Sequence, residues 1–388
     1  MRLSRIGAAV AVALTACSIS PSSGGTSPRP SAQPIVTSTA IANPSTRPSA
    51  SSNPSVGPGG NSLVHCDAPV PAGDSLVIGS VGADAAVVVR DIQDPANAKT
   101  LCRFDPGVLS PQFVSAGIVA YQTSSNQLIF ADLGTGIGRV VATFTAGTAP
   151  VPYAVSPDGV SITYLDGNAW HLITPPGVNK VLTTLPPIPA RGFNPDEDDL
   201  FLAFSPDGQY IALVQTLHMG GSGPTAPDQV RKASDGTLVY STSGMTMAVW
   251  ASVPSRLFFR DPGGTMHRWD PSGVVSAMMP VRWIRPKSSP DGRWIAYTLR
   301  TSNVNGVGFY GVQSNSVSAT SPPARSSARF LNNDLVWYIG EKACDTCFGG
   351  IPTPTGLAYI YSIAGVSEVV SRLSTVYDAW PRVTPPGV

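Results

Sequence analysis

Ser156-Pro157-Asp158-Gly159, Ser205-Pro206-Asp207-Gly208 and Ser289-Pro290-Asp291-Gly292 are three copies of one turn, and their spacing decides the fold. Each follows a short apolar or aromatic stretch (153–155, 201–204, 283–284) and precedes an alternating, strand-like run (161–164, 210–214, 294–299). Pro presets φ at the second turn position, Asp caps neighbouring N–H groups, and Gly accepts the positive φ that closes the hairpin. From 156 to 205 is 49 residues and from 205 to 289 is 84, two units of 42. The absent copy belongs near residue 250, where Trp250 opens a degenerate version ending in Arg256. Two more degenerate copies begin at Phe113 and Phe330, and a last one at Trp380.

A period of about 40–45 residues with about four strands per unit marks a β-propeller blade. The seven unit starts predict an all-β fold, a single propeller of seven four-stranded blades, with six and eight as the neighbouring counts. The start at Trp380 has room for one strand only. The runs 76–79, 85–90 and 100–104 have no inner strand of their own, so N- and C-terminal strands are expected to complete one blade together, leaving no free edge. The Ser-Pro-Asp-Gly hairpin in this setting resembles the TolB-type, WD40-like repeats of extracytoplasmic bacterial proteins over about residues 63–388. That resemblance implies the fold and a common use as a binding or scaffold module.

The composition agrees with many short strands. Of 388 residues, 13% are charged, and Gly and Pro contribute 38 each. The net charge of +1 and the lack of a basic stripe argue against nucleic acid as a partner.

Residues 1–17 read as an export signal. Arg2 and Arg5 precede an uncharged apolar run, 6–14, and then Leu14-Thr15-Ala16-Cys17. The run is too short for a membrane span, which needs about 20 apolar residues. The last four residues resemble the lipobox of bacterial lipoproteins, and the resemblance implies that Cys17 carries a lipid after cleavage. The chain is then expected outside the cytoplasm, held on the bacterial membrane and monomeric. Residues 18–62, rich in Ser, Pro and Thr, have too few apolar side chains to offset the entropy of ordering and read as a disordered tether. Four cysteines remain: Cys66, Cys102, Cys344 and Cys347. In an oxidising compartment they suggest two disulfides among three connectivities. Cys66–Cys102 with Cys344–Cys347 is preferred, the second pair being two residues apart on a Gly-rich loop. The rivals for Cys344-Asp345-Thr346-Cys347, a redox motif or half a zinc site, lack a helical setting and a second pair respectively.

In a propeller, the turns between first and second strands share one face, and the second-to-third and blade-to-blade connections share the other. The three longest interruptions, 186–199, 216–236 and 340–356, all fall on the latter, which is therefore the expected functional face. Its candidate ligand-binding residues are Asp196, Asp198, Asp199, His218 and Thr353. Asp196, Glu197, Asp198 and Asp199 could supply oxygens to Ca²⁺, but they lack the alternate spacing of a calcium loop, so a solvated acidic turn is favoured and no cofactor is expected. Trp250, Trp283 and Trp380 are placed in or beside inner strands as channel candidates and Trp170, Trp294 and Trp337 read as blade core, with core packing the default for all six.

No G-x-S-x-G elbow, H-E-x-x-H, P-loop or post-strand G-x-G-x-x-G occurs. His65, His171, His218 and His267 lie in separate segments. The sequence therefore favours a non-enzymatic module binding a protein, peptide or cell-envelope ligand. The alternative is a propeller hydrolase or lyase acting on carbohydrate or peptide at the channel mouth.

Overall fold

The repeated turn forms as its chemistry requires. The Oγ of Ser156, Ser205 and Ser289 accepts the backbone N–H five residues on, at 2.8, 2.9 and 3.0 Å. The Asp at the third position accepts the N–H of Val160, Gln209 or Arg293 at 3.0–3.1 Å. Gly159, Gly208 and Gly292 take φ of +73°, +69° and +65°, where an L side chain is strained. Two of the turns also bond to the next blade: the Asp207 N–H donates to Ser255 Oγ and the Asp291 N–H to Asn333 Oδ1.

The computed structural model describes residues 60–380 apart from 62, 68, 71–74, 83–85, 96–97, 146–149, 187–199, 216–226, 252–253, 262, 274, 278–282, 301–304 and 343–352. The strands of this region form seven antiparallel sheets. Blades 1 to 6 run through 108–143, 153–184, 200–242, 246–277, 284–320 and 325–371, each a four-stranded meander in sequence order from the inside outward. Blade 7 takes its inner strand, Leu373–Trp380, from the C-terminal side and its other strands, Leu76–Val81, Ala86–Asp91 and Lys99–Phe104, from the N-terminal side. The joint closure expected for this blade is what the structure shows. Trp380 ends that inner strand rather than beginning it, because the apolar run of each unit precedes its turn.

Two further strands thicken the N-terminal edge. Val64–Cys66 adds to blade 7, where Cys66 stands opposite Cys102 and is bonded to it. Gly60–Asn61 pairs with Gly138 and Ile137 on the outer strand of blade 1.

The core lies between blades. Seven apolar clusters fill the seven junctions, including Phe113 and Tyr121 between blades 7 and 1, and Leu331, Trp337 and Val376 between 6 and 7. Seven sheets with seven filled junctions make a closed ring. A Cβ at Gly159 would meet Val114 Cγ1 of blade 1 at 2.8 Å, whereas one at Gly167, also at positive φ, meets nothing within 4 Å. Gly159→Ala is therefore expected to cost about 1–3 kcal/mol, with Gly167→Ala costing only the backbone part, about 1 kcal/mol. Parallel thermal denaturation checks this; equal losses would mean that the junction yields freely around Val114.

Candidate functional site

Inner strands decide what faces the ring's centre, and four of them are distorted at the same place. Ser110, Met247, Arg285 and Ser327 have φ of +47° to +56°, each within a register shift against the second strand. Left-handed non-glycine residues of this kind cost about 1 kcal/mol or more each. They are β-bulges, which bend a strand and re-aim the side chains that follow. The residues two positions on, Gln112, Val249, Lys287 and Arg329, all line one central cavity of about 600 Å³. Every blade contributes to it, with Ala154, Ala203 and Asp378 from blades 2, 3 and 7. In blade 3 the lining runs from Leu200, at the rim where blades connect, to Pro206 on the opposite turn rim.

Hydrogen bonds tie the blades together around this channel. Asp378 Oδ2 accepts the Phe113 N–H at 2.7 Å, and Gln112 Nε2 donates to the Tyr153 carbonyl at 3.1 Å. Arg285 Nη1 donates to Ser327 Oγ at 2.7 Å, joining the bulges of blades 5 and 6. Further out, blade-to-blade connections meet second-to-third-strand ends on the expected shared face. Asp166 accepts from the Thr145 N–H and hydroxyl, and Asp228 accepts from the Met245 N–H at 2.6 Å.

The sheet order puts the strand ends on either side of 186–199, those at Gln215 and Asp228, and those at Lys342 and Thr353 on that same rim. Two of the interruptions are shorter than expected. Asp228–Lys232 within 216–236 is the third strand of blade 3, paired on both sides, and residues 233–237 turn on the opposite rim. Leu335–Lys342 and Thr353–Ser362 likewise extend into 340–356. Thr353 opens its strand opposite Lys342. Cys17, Asp196, Asp198, Asp199, His218, Cys344 and Cys347 lie outside the described residues.

The tryptophans follow the default of core packing. Trp250 borders the channel but is buried in the cluster between blades 3 and 4, with its Nε1 donating to the Ala203 carbonyl. Trp283 is likewise buried, between blades 4 and 5, and Trp380 packs near Phe113, centroids 6.4 Å apart. Inner-strand side chains lean into the junctions as well as toward the axis, so strand position alone did not separate these roles. Trp170 and Trp337 are core, and Trp294 packs against it.

The three described histidines stand apart. His65 meets Asp105 at 3.0 Å on the surface, and His171 stacks on Tyr164 at 4.6 Å. His267 bonds Asp261 at 2.8 Å; that bond and the Thr265 N–H hold the Asp261 carboxyl below its ordinary range. Among the described residues no group of three or more His, Cys, Asp or Glu converges as a metal site would.

Fold and site together define a seven-bladed β-propeller with a channel of mixed polarity. No family model matches the sequence, and no curated protein matches it. Solved structures do match. TolB from Acinetobacter baumannii is 20% identical, with 66% of this chain and 67% of that chain covered and a TM-score of 0.40. The dihydro-heme d1 dehydrogenase NirN is 12% identical, with 80% and 76% covered and a TM-score of 0.46. Oligogalacturonate lyase from Vibrio parahaemolyticus is 9% identical, with 79% and 86% covered and a TM-score of 0.48. At these identities the likeness concerns the propeller fold alone.

Proposed function

We propose that this chain is an exported, lipid-anchored binding protein without catalytic activity of its own. Its propeller would offer the channel and the rim of long connections to a protein, peptide or cell-envelope ligand. The observation that carries this reading is the cavity lined from all seven blades, with strained bulges at the rim end of four inner strands. Strain kept at one place on a rigid scaffold is characteristic of functional sites. The Cys66–Cys102 disulfide supports an oxidising compartment, in keeping with the export signal and with Cys17 as anchor. The reading needs no cofactor.

Two measurements test it. In cells fed a clickable palmitate analogue, the full chain is expected to be labelled and membrane-bound, and Cys17→Ala unlabelled and released. An unlabelled, soluble wild type would overturn the anchor. Photo-crosslinking residues at Thr353 and Tyr377, on the rim and the channel lining, are expected to give a discrete adduct that the same residue at Val178, on an outer strand, does not. Rim positions without an adduct would overturn the binding face.

A further inference from the structure

The ring is fastened twice at blade 7. On the inside, Leu373–Trp380 pairs with Leu76–Val81. On the outside, the segment that enters the propeller from the tether runs as a strap from blade 1 to blade 7. Gly60 and Asn61 pair with Gly138 and Ile137 on the outer strand of blade 1. The Leu63 N–H donates to the Tyr121 hydroxyl of blade 1 at 2.8 Å, and the Leu63 carbonyl accepts the Asp105 N–H, next to the outer strand of blade 7, at 2.7 Å. Leu63 packs against the cluster between blades 7 and 1, and Val64 is buried in it. Val64, His65 and Cys66 then pair with Phe104, Arg103 and Cys102, and the disulfide joins the last pair.

The place of the disulfide decides how a pull on the tether travels. Cys66 and Cys102 are 36 residues apart, and the covalent loop between them holds Leu76–Val81 and Ala86–Asp91, the second and third strands of blade 7. Tension arriving along residues 18–59 meets Gly60 first. Residues 60–65 resist it only through a short ladder, a few hydrogen bonds of modest net worth and the packing of Leu63 and Val64. Were Cys66 held by hydrogen bonds alone, the peeling would continue to Leu76–Val81, and the pair that closes the ring would part. The disulfide instead passes tension from Cys66 straight to Cys102 on the outer strand, and residues 67–101 carry none. We propose that the strap and Cys66–Cys102 form a tension clasp, which keeps force on the N-terminal tether away from the strand that closes the ring. The clasp rests on the anchored binding reading above: a domain held by a lipid at one end and a ligand at its rim is pulled whenever the two move apart.

Single-molecule pulling on the full chain tests this, with one handle always at Ser272, on an exposed turn of blade 4. The second handle sits at Ser27, to pull through the tether, or at Val388, to pull on the inner strand of blade 7. Pulled from Ser27, the oxidised wild type is expected to release the strap alone before the ring opens. Cys66→Ala/Cys102→Ala is expected to open blade 7 at lower force under the same pull, with an added extension of up to about 120 Å from the freed loop. Pulled from Val388, the two should open at the same force, because Leu373–Trp380 lies outside the loop. The wild type in dithiothreitol repeats the comparison without a substitution, should the variant not fold. Equal opening forces from Ser27 with and without the disulfide would overturn the clasp. So would an equal loss of force in both pulling directions, which would make the disulfide a general staple. Neither lipid nor ligand enters the measurement, so the clasp and the binding reading can fail separately.

Discussion

A chain lacking residues 373–388 is expected to lose its folded state, not merely to become less stable. Leu373–Trp380 is the inner strand of blade 7 and pairs along the whole of Leu76–Val81. Without it Leu76, Val77 and Ile78, each at most 1% exposed, face an open edge. The strand also supplies Leu373 and Val376 to the cluster between blades 6 and 7, and Trp380 packs on the cluster between 7 and 1. Trp337 Nε1 loses its acceptor, the Leu373 carbonyl, and the Phe113 N–H loses Asp378. Truncating large apolar side chains in a core costs about 2–5 kcal/mol apiece, and a whole domain is worth about 5–15 kcal/mol. Several such losses at two adjoining junctions exceed that total, and the unpaired edge invites aggregation. Soluble yield and size-exclusion chromatography measure the outcome. A monomeric truncated chain with the parent's melting temperature would mean that the ring does not depend on this closure.

The same strand shows how far the sequence could be read. Seven unit starts correspond to seven blades, because three intact Ser-Pro-Asp-Gly turns set the period and the weaker copies at Phe113, Trp250 and Phe330 needed only to keep step. The direction of the last unit was harder. With no intact turn after Trp380, nothing marked that residue as the end of a strand. Asp228–Lys232 was hidden for another reason: Val230 is its one apolar side chain, and pairing on both sides, not hydrophobic alternation, holds it in the sheet. The bulges left no trace at all. Ser110, Met247, Arg285 and Ser327 adopt left-handed backbone without the Gly or Asn that would announce it. Lys287 and Arg329 therefore stand as ordinary charged residues in strands of mixed polarity. The one signal available was Lys287 standing two residues before the turn serine Ser289, which a stricter alignment of the units would have set beside Arg329.

Trp283→Ala is expected to be the most damaging single substitution of a side chain. Trp283 is 1% exposed and fills the junction of blades 4 and 5, with ring centroids 5.9 Å from Phe258, 5.8 Å from Tyr297 and 5.4 Å from Tyr310. Replacing it with alanine should cost about 3–5 kcal/mol, because neighbours held by two sheets cannot collapse into the space. Phenylalanine should cost markedly less. The indole Nε1 is buried with no hydrogen-bond partner among the described residues, so its removal sacrifices packing volume alone. Tyr297 supplies a second readout. Burial, and then the neighbouring Tyr310, pushes its phenol up to about 12. The folded chain thus keeps a proton that the unfolded chain releases near pH 10, and stability should fall as pH rises from about 10 to 12. In Trp283→Ala, water reaching the vacated space would bring the Tyr297 phenol back toward its ordinary value and flatten that fall. Denaturant titrations across this pH range would show both effects. An alanine variant that lost stability with an unchanged alkaline slope would place the cost outside this junction, since the packing that holds Trp283 is the same packing that keeps Tyr297 dry.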